Sequence, residues 1–118
     1  MAVVNALASL AVHNLTASIR WYEKLFGRAP DSRPMPEVAE WKFERGGWLQ
    51  VYQLNERAGA GSVTLAVSDL EEQMTKLRRL GVEPGKPIVS PQTRVVMIKD
   101  PDGNSLAFAE ARNGRIAQ

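Results

Sequence analysis

Two stretches decide the fold: Ser9-Leu-Ala-Val-His-Asn-Leu15 and, 55 residues later, Thr64-Leu-Ala-Val-Ser-Asp-Leu70. Each runs an apolar strand into a helix-start signal, so the chain reads as a duplication. In the second copy Ser68 and Glu71 have capping-box spacing, with Asp69 in the first turn of the helix. A helical pattern follows each strand, on Ile19, Tyr22 and Phe26 in the first copy and Met74, Leu77 and Leu80 in the second. Gly27 and Gly81 then stand where a left-handed residue ends a helix.

Beyond each helix a Pro-containing connection leads into a hairpin. Pro30, Pro34 and Pro36 mark the first connection; Pro84, Pro87 and Pro91 mark the second. The first hairpin is read as 39–45 and 48–54 around a two-residue Gly46-Gly47 turn. The second is read as 94–99 and 105–110 around Asp100-Pro-Asp-Gly-Asn104. The expected organisation is one domain over residues 1–118: a first unit at about 5–54, a polar linker at about 55–61, a second unit at about 62–111 and a frayed tail at 112–118. One helix hides one face of its sheet, so the other face needs a second unit or a second chain. The expected fold class is therefore α+β, with two βαβββ units forming a cupped mixed sheet.

Bulk properties exclude several classes. A length of 118 residues allows a real core without cross-links, and there is no cysteine for disulfide or thiolate chemistry. A net charge of +2 with no basic stripe gives no reason to expect nucleic acid as a partner. No run approaches the roughly 20 apolar residues that cross a bilayer. Met1 to Leu10 lacks the charged and apolar regions of a signal peptide. A cytoplasmic protein without a membrane partner is the expectation.

The segments Leu10-Ala-Val-His-Asn-Leu15, Ser18-Ile-Arg-Trp-Tyr22, Leu25-Phe-Gly27, Val67-Ser-Asp-Leu70 and Asp100-Pro-Asp-Gly-Asn104 together resemble the vicinal-oxygen-chelate superfamily, which includes glyoxalases, bleomycin-resistance proteins and dioxygenases. The resemblance extends from about Leu7 to Glu110. It implies four metal-ligand positions, one on the first and one on the last strand of each unit. Here they are Leu7, Gln50, Ser62 and Ala107. A divalent cation needs imidazole or carboxylate from at least two or three residues, so neither a metal nor another cofactor is expected.

Strand alternation selects what lines the expected cup. With Gln50 inward, Trp48 and Tyr52 follow. The two-residue turn would add Trp41, Phe43 and Arg45, leaving Glu40, Lys42 and Glu44 outward. The second unit would contribute Ser62, Thr64, Ser105 and Ala107. His13 shares the parity of Leu7 but lies about 20 Å further along the strand at ~3.3 Å per residue. Arg45 and Arg94 are read as solvated rim charges. Trp41, Phe43, Trp48, Gln50, Tyr52, Ser62, Thr64, Ser105 and His13 are the candidate ligand-binding residues. Four aromatics on one sheet face also suit a dimer interface or a filled core.

Two function classes follow, beside a third reading as a purely structural or partner-binding module. One is a binding protein that sequesters a small, aromatic, neutral or weakly anionic molecule, as drug-binding members do in clefts across a homodimer. The other is an isomerase, lyase or dioxygenase, which the resemblance alone implies. For it His13 and Glu110 are the available bases, and its catalytic residues are not identified by the sequence.

Overall fold

The computed structural model describes residues 2–112. The expectation of a frayed tail falls, from residue 113 onward, outside the described residues. Two units emerge, the first comprising the chain up to Gly61 with Pro101–Asn104, the second Ser62–Asp100 with Ser105 onward.

In the first unit β1 (Leu7–Val12) leads into α1 (Leu15–Phe26), followed by β2 (Ser32–Met35), β3 (Val38–Lys42) and β4 (Trp48–Gln53). The sheet order is β1-β4-β3-β2, with β1 parallel to β4 and the remaining pairs antiparallel. The second unit repeats this with β5 (Ser62–Ala66), α2 (Leu70–Arg79), β6 (Ile88–Val89), β7 (Thr93–Lys99) and β8 (Ser105–Ala111), in the order β5-β8-β7-β6. Each is a βαβββ unit, and the Pro-containing connections hold the short edge strands β2 and β6.

Both helices are started by the same pair of devices. Asn14 accepts from the Ala17 N–H at 3.1 Å, and Asp69 accepts from the Glu72 N–H at 3.1 Å. The cap of α2 is thus Asp69, one residue later than the Ser68–Glu71 spacing suggested. The next donor of each helix is met from the last strand: Leu15 N–H by Gln53 Oε1 and Leu70 N–H by Glu110 Oε2, both at 2.9 Å. Gly27 ends α1 at φ 74° with its N–H on Glu23 O. At the end of α2, Gly81 has φ 78°, and the N–H groups of Gly81 and Val82 bond to Arg78 O and Leu77 O, a Schellman arrangement. Arg94 is no free rim charge: it bonds Glu71 at 2.9 Å and lies 3.8 Å from Glu110.

Under α1 the first sheet buries Leu10, Val12, Ala39, Trp41, Leu49 and Val51 against Leu15, Tyr22 and Leu25. Tyr22, Phe26, Trp41 and Phe43 form one aromatic cluster, with successive ring centroids 5.3–5.9 Å apart. The buried Trp41 indole N–H donates to Arg28 O at 3.1 Å. The second unit buries Val96, Ile98, Leu106 and Phe108 against Leu70, Met74 and Leu77.

The 55–61 segment contains a short 3-10 turn, Asn55–Arg57, and close backbone packing. Gly59 has φ 85°, and a Cβ there would overlap the Asp102 carbonyl oxygen. Asn104, fully buried, accepts from the Gly61 N–H and donates to Ala11 O, each at 2.8 Å. The Asp100–Asn104 motif therefore does more than turn a hairpin: within the first unit its tip meets backbone groups at the end of β1.

Asp31 fastens the α1–β2 connection to β3. It accepts from the Lys42 backbone N–H at 2.7 Å and from the Arg28 guanidinium, which also donates to Lys42 O. The Arg28 hydrogen bond and the Lys42 N–H hold the Asp31 carboxyl below its ordinary value of 3.8. A carboxyl depressed in the fold stabilises it above the unfolded value and loses that contribution as pH falls through the folded one. Asp31→Asn is therefore expected to be less stable than the parent to urea at pH 7. The difference should shrink below about pH 4; a gap that persists unchanged to pH 2 would contradict this role.

Candidate functional site

The face of the first sheet turned away from α1 is a grid of nine side chains set by strand register. Leu7, Trp48 and Lys42 form the row nearest the β3–β4 turn, followed by Ser9, Gln50 and Glu40, then Ala11, Tyr52 and Val38. Leu7, Ser9 and Lys42 are exposed, while Trp48, Gln50, Tyr52 and Glu40 are half-buried. Ala11 and Val38 are buried, so the accessible part of the face is its first two rows and Tyr52.

This register corrects the expected lining. Between β3 and β4 the loop is Glu44-Arg45-Gly46, with Phe43 still paired to Gly47: Phe43 N–H bonds to Gly47 O, and Gly46 N–H to Phe43 O. Gly46 takes φ 96°, the left-handed position of a three-residue hairpin loop. A two-residue Gly46-Gly47 turn would place Trp41 opposite Tyr52. The observed partner of Trp41 is Leu49. That change in parity moves all of β3 to the opposite face. Trp41 and Phe43 lie under α1, not beside Gln50. Glu40 and Lys42, expected outward, stand on the open face.

The middle row is wired across three strands. Gln50 Nε2 donates to Glu40 Oε2 at 2.9 Å, and Ser9 Oγ donates to Gln50 Oε1 at 3.3 Å. An ionised carboxylate only accepts, which fixes Gln50 with its nitrogen toward Glu40 and its oxygen toward Ser9. Among the described residues this leaves one Nε2–H and one Oε1 lone pair of Gln50 for a bound molecule. In the row below, Lys42 Nζ lies 5.8 Å from the Trp48 ring centroid.

The open face of the second sheet follows the same grid: Ser62, Ser105 and Lys99; Thr64, Ala107 and Met97; Ala66, Ala109 and Val95. Ser62, Thr64 and Ser105 share a face, as strand parity predicts, with Met97 46% exposed among them. Lys99 Nζ donates to Ser105 Oγ at 2.8 Å. A depression of about 460 Å³ lies beside this face, lined by Val82, Glu83, Gly85 and Met97–Lys99.

His13 lies past the end of β1. Its Nδ1 is 3.1 Å from Asn55 Oδ1, its Nε2 3.9 Å from Asp102 Oδ1, and its backbone N–H bonds that same carboxylate. It belongs with the turn tip, not with the nine-residue grid. Glu110, the other candidate base, is engaged by the α2 N-terminus and Arg94.

The four positions that the resemblance assigns to metal ligands carry no ligand set here. Leu7 and Gln50 are diagonal neighbours on the first open face, and Ser62 and Ala107 repeat that relation on the second. An amide, a hydroxyl and two side chains with no donor do not fit a divalent cation. Among the described residues no group of three or more His, Cys, Asp or Glu could hold a metal ion.

A duplicated βαβββ architecture with polar grids on open sheet faces defines a class of small α+β proteins. The sequence matches the Glyoxalase/Bleomycin resistance protein/Dioxygenase superfamily over residues 4–108, and the chain belongs to it. It is similar to a glyoxalase/bleomycin resistance protein from Catenulispora acidiphila DSM 44928, with 34% identity and a TM-score of 0.81 over 92% of this chain and 98% of that one. It is also similar to TnmS3, an antibiotic binding protein from Streptomyces sp. CB03234, with 21% identity and a TM-score of 0.78 over 94% and 98% of the two chains. A bleomycin resistance determinant encoded on transposon Tn5 has 18% identity and a TM-score of 0.76 over 93% and 99%. At these last two identities the likeness is one of fold. No curated protein matches the sequence. No helix among the described residues is long and apolar enough to cross a membrane.

The two tryptophans on β3 and β4 should behave differently. Trp41→Phe removes a buried indole and its hydrogen bond and is expected to cost about 1–3 kcal/mol in urea unfolding. Trp48→Phe should cost less than about 1 kcal/mol. A larger loss at Trp48 would contradict the face assignment.

Proposed function

We propose that this protein binds a small, flat, neutral or weakly anionic molecule on its open sheet faces and does so without metal-dependent chemistry. The observation that carries the reading is the row Ser9–Gln50–Glu40, set between Trp48 and Tyr52. A ligand site needs apolar area for affinity and a few oriented polar groups for selectivity. Trp48 and Tyr52 offer the first; Gln50, held in one orientation by its neighbours, offers the second. Ser62, Thr64 and Ser105 supply hydroxyls on the equivalent face of the second unit.

The printed description of TnmS3 as an antibiotic binding protein and of the Tn5 protein as a bleomycin resistance determinant supports binding as the function class. The donor set at Leu7, Gln50, Ser62 and Ala107 weighs against the superfamily's metal-assisted reactions. A homodimer is part of the proposal: the edge strands β1, β2, β5 and β6 each leave one side unpaired within their sheets, and Leu7 and Met97 remain half exposed on open faces.

The reading is tested by calorimetric titration of the protein with a panel of planar aromatic compounds. At least one is expected to bind with micromolar affinity, and Trp48→Phe together with Gln50→Leu should weaken it at least tenfold, or about 1.4 kcal/mol. Trp41→Phe should leave the affinity of the folded protein within about twofold. Binding that survives the Trp48 and Gln50 substitutions would remove this face from the proposal.

A further inference from the structure

Comparison of the two grids position by position shows where the repeats have diverged. Leu7 answers to Ser62, Trp48 to Ser105, Gln50 to Ala107, Glu40 to Met97 and Tyr52 to Ala109. One polar side chain is the same in both: Lys42 answers to Lys99, each on the open face in the row nearest its hairpin turn.

Each lysine leans on the residue opposite it, Lys42 over the Trp48 ring and Lys99 onto the Ser105 hydroxyl. Among the described residues neither forms an ion pair. Two carboxylates stand near Lys42, and each already accepts a hydrogen bond from another group. Asp31 is bonded by Arg28 and the Lys42 backbone N–H, and Glu40 accepts from Gln50. A cation–π contact holds an ammonium in place without neutralising it. A ligand that covers Trp48 strips water from that ammonium, which is costly unless the ligand brings a negative charge.

We infer that Lys42 is the specificity-determining residue of this face and that the ligand is an aromatic acid. Its ring lies on Trp48, its carboxylate or phenolate oxygen accepts from Lys42 Nζ, and a further oxygen accepts from the free N–H of Gln50. The inference rests on the small-molecule reading above and narrows it to one charge type. A cationic ligand would meet Glu40, but with one of its oxygens engaged and Lys42 two residues away on the same strand face.

The test compares 2-naphthoate with the isosteric neutral 2-naphthamide by calorimetry at low salt. The parent protein is expected to bind the acid about tenfold more tightly than the amide, the scale of one charge-assisted hydrogen bond. Lys42→Met should abolish that preference by weakening the acid alone, and Lys42→Arg should retain it. Raising the salt should erode the preference in the parent and leave Lys42→Met unaffected. Equal binding of acid and amide by the parent, or a preference that persists in Lys42→Met, overturns the role of Lys42 and leaves the small-molecule reading intact. Binding of neither compound counts against both.

Discussion

The length of the β3–β4 turn decides which side chains of β3 meet α1 and which stand on the open face of the first sheet. Gly46 at φ 96° closes a three-residue loop and keeps Phe43 paired to Gly47. Because side chains alternate with period two, that one choice sorts β3 into two sets. Trp41 and Phe43 go to the helix, where they build the aromatic core with Tyr22 and Phe26. Glu40 and Lys42 go to the open face, where they meet Gln50 and Trp48. A shorter turn would exchange the sets, placing two charges in the core and two aromatics in the open.

The arrangement explains how one short sheet serves packing and recognition together. On its covered side, burial of Trp41, Leu49 and Val51 anchors α1, whose start is fixed by Asn14 and Gln53. On its open side the same strands hold Gln50 between an acceptor and a donor, so that its amide cannot rotate freely. Rigid strands suit this task, since a polar group whose orientation is already set loses little entropy when a ligand arrives. The second unit keeps the framework, with Glu110 in the place of Gln53 and Asp69 in the place of Asn14, while its open face has smaller side chains.

Much of the fold was legible in the sequence because its signals are local. The repeated strand–helix motif, the glycines after each helix and the Asp-Pro-Asp-Gly-Asn turn each act within a few residues. Strand parity on β1, β4, β5 and β8 could likewise be read, since those strands are placed by the repeat itself. The error on β3 arose at Gly46-Gly47, a dipeptide that suits a two-residue turn but also closes a three-residue loop with its first glycine alone. Arrangement of Trp41, Phe43 and the outward-reading charges followed from that ambiguity. Two signals favoured the longer loop: Trp41 and Phe43 alternate with Ala39, giving a continuous apolar face, and Glu40, Lys42 and Glu44 alternate as a polar one. The caps from Gln53 and Glu110, and the Asn104 bonds to Ala11 and Gly61, join residues 38 to 93 positions apart, and no local pattern announces them.

The register of β3 against β4 is therefore the measurement on which the account turns. With Phe43 and Gly47 as a hydrogen-bonded pair, Lys42 opposite Trp48 and Glu40 opposite Gln50 are non-hydrogen-bonded pairs, whose α-protons approach closely. Nuclear Overhauser spectra of the protein in solution should show Hα–Hα contacts between Glu40 and Gln50 and between Lys42 and Trp48. Hα–Hα contacts between Glu44 and Leu49 and between Lys42 and Val51 in their place, the non-hydrogen-bonded pairs of a two-residue turn, would put the aromatic residues on the open face and contradict the account.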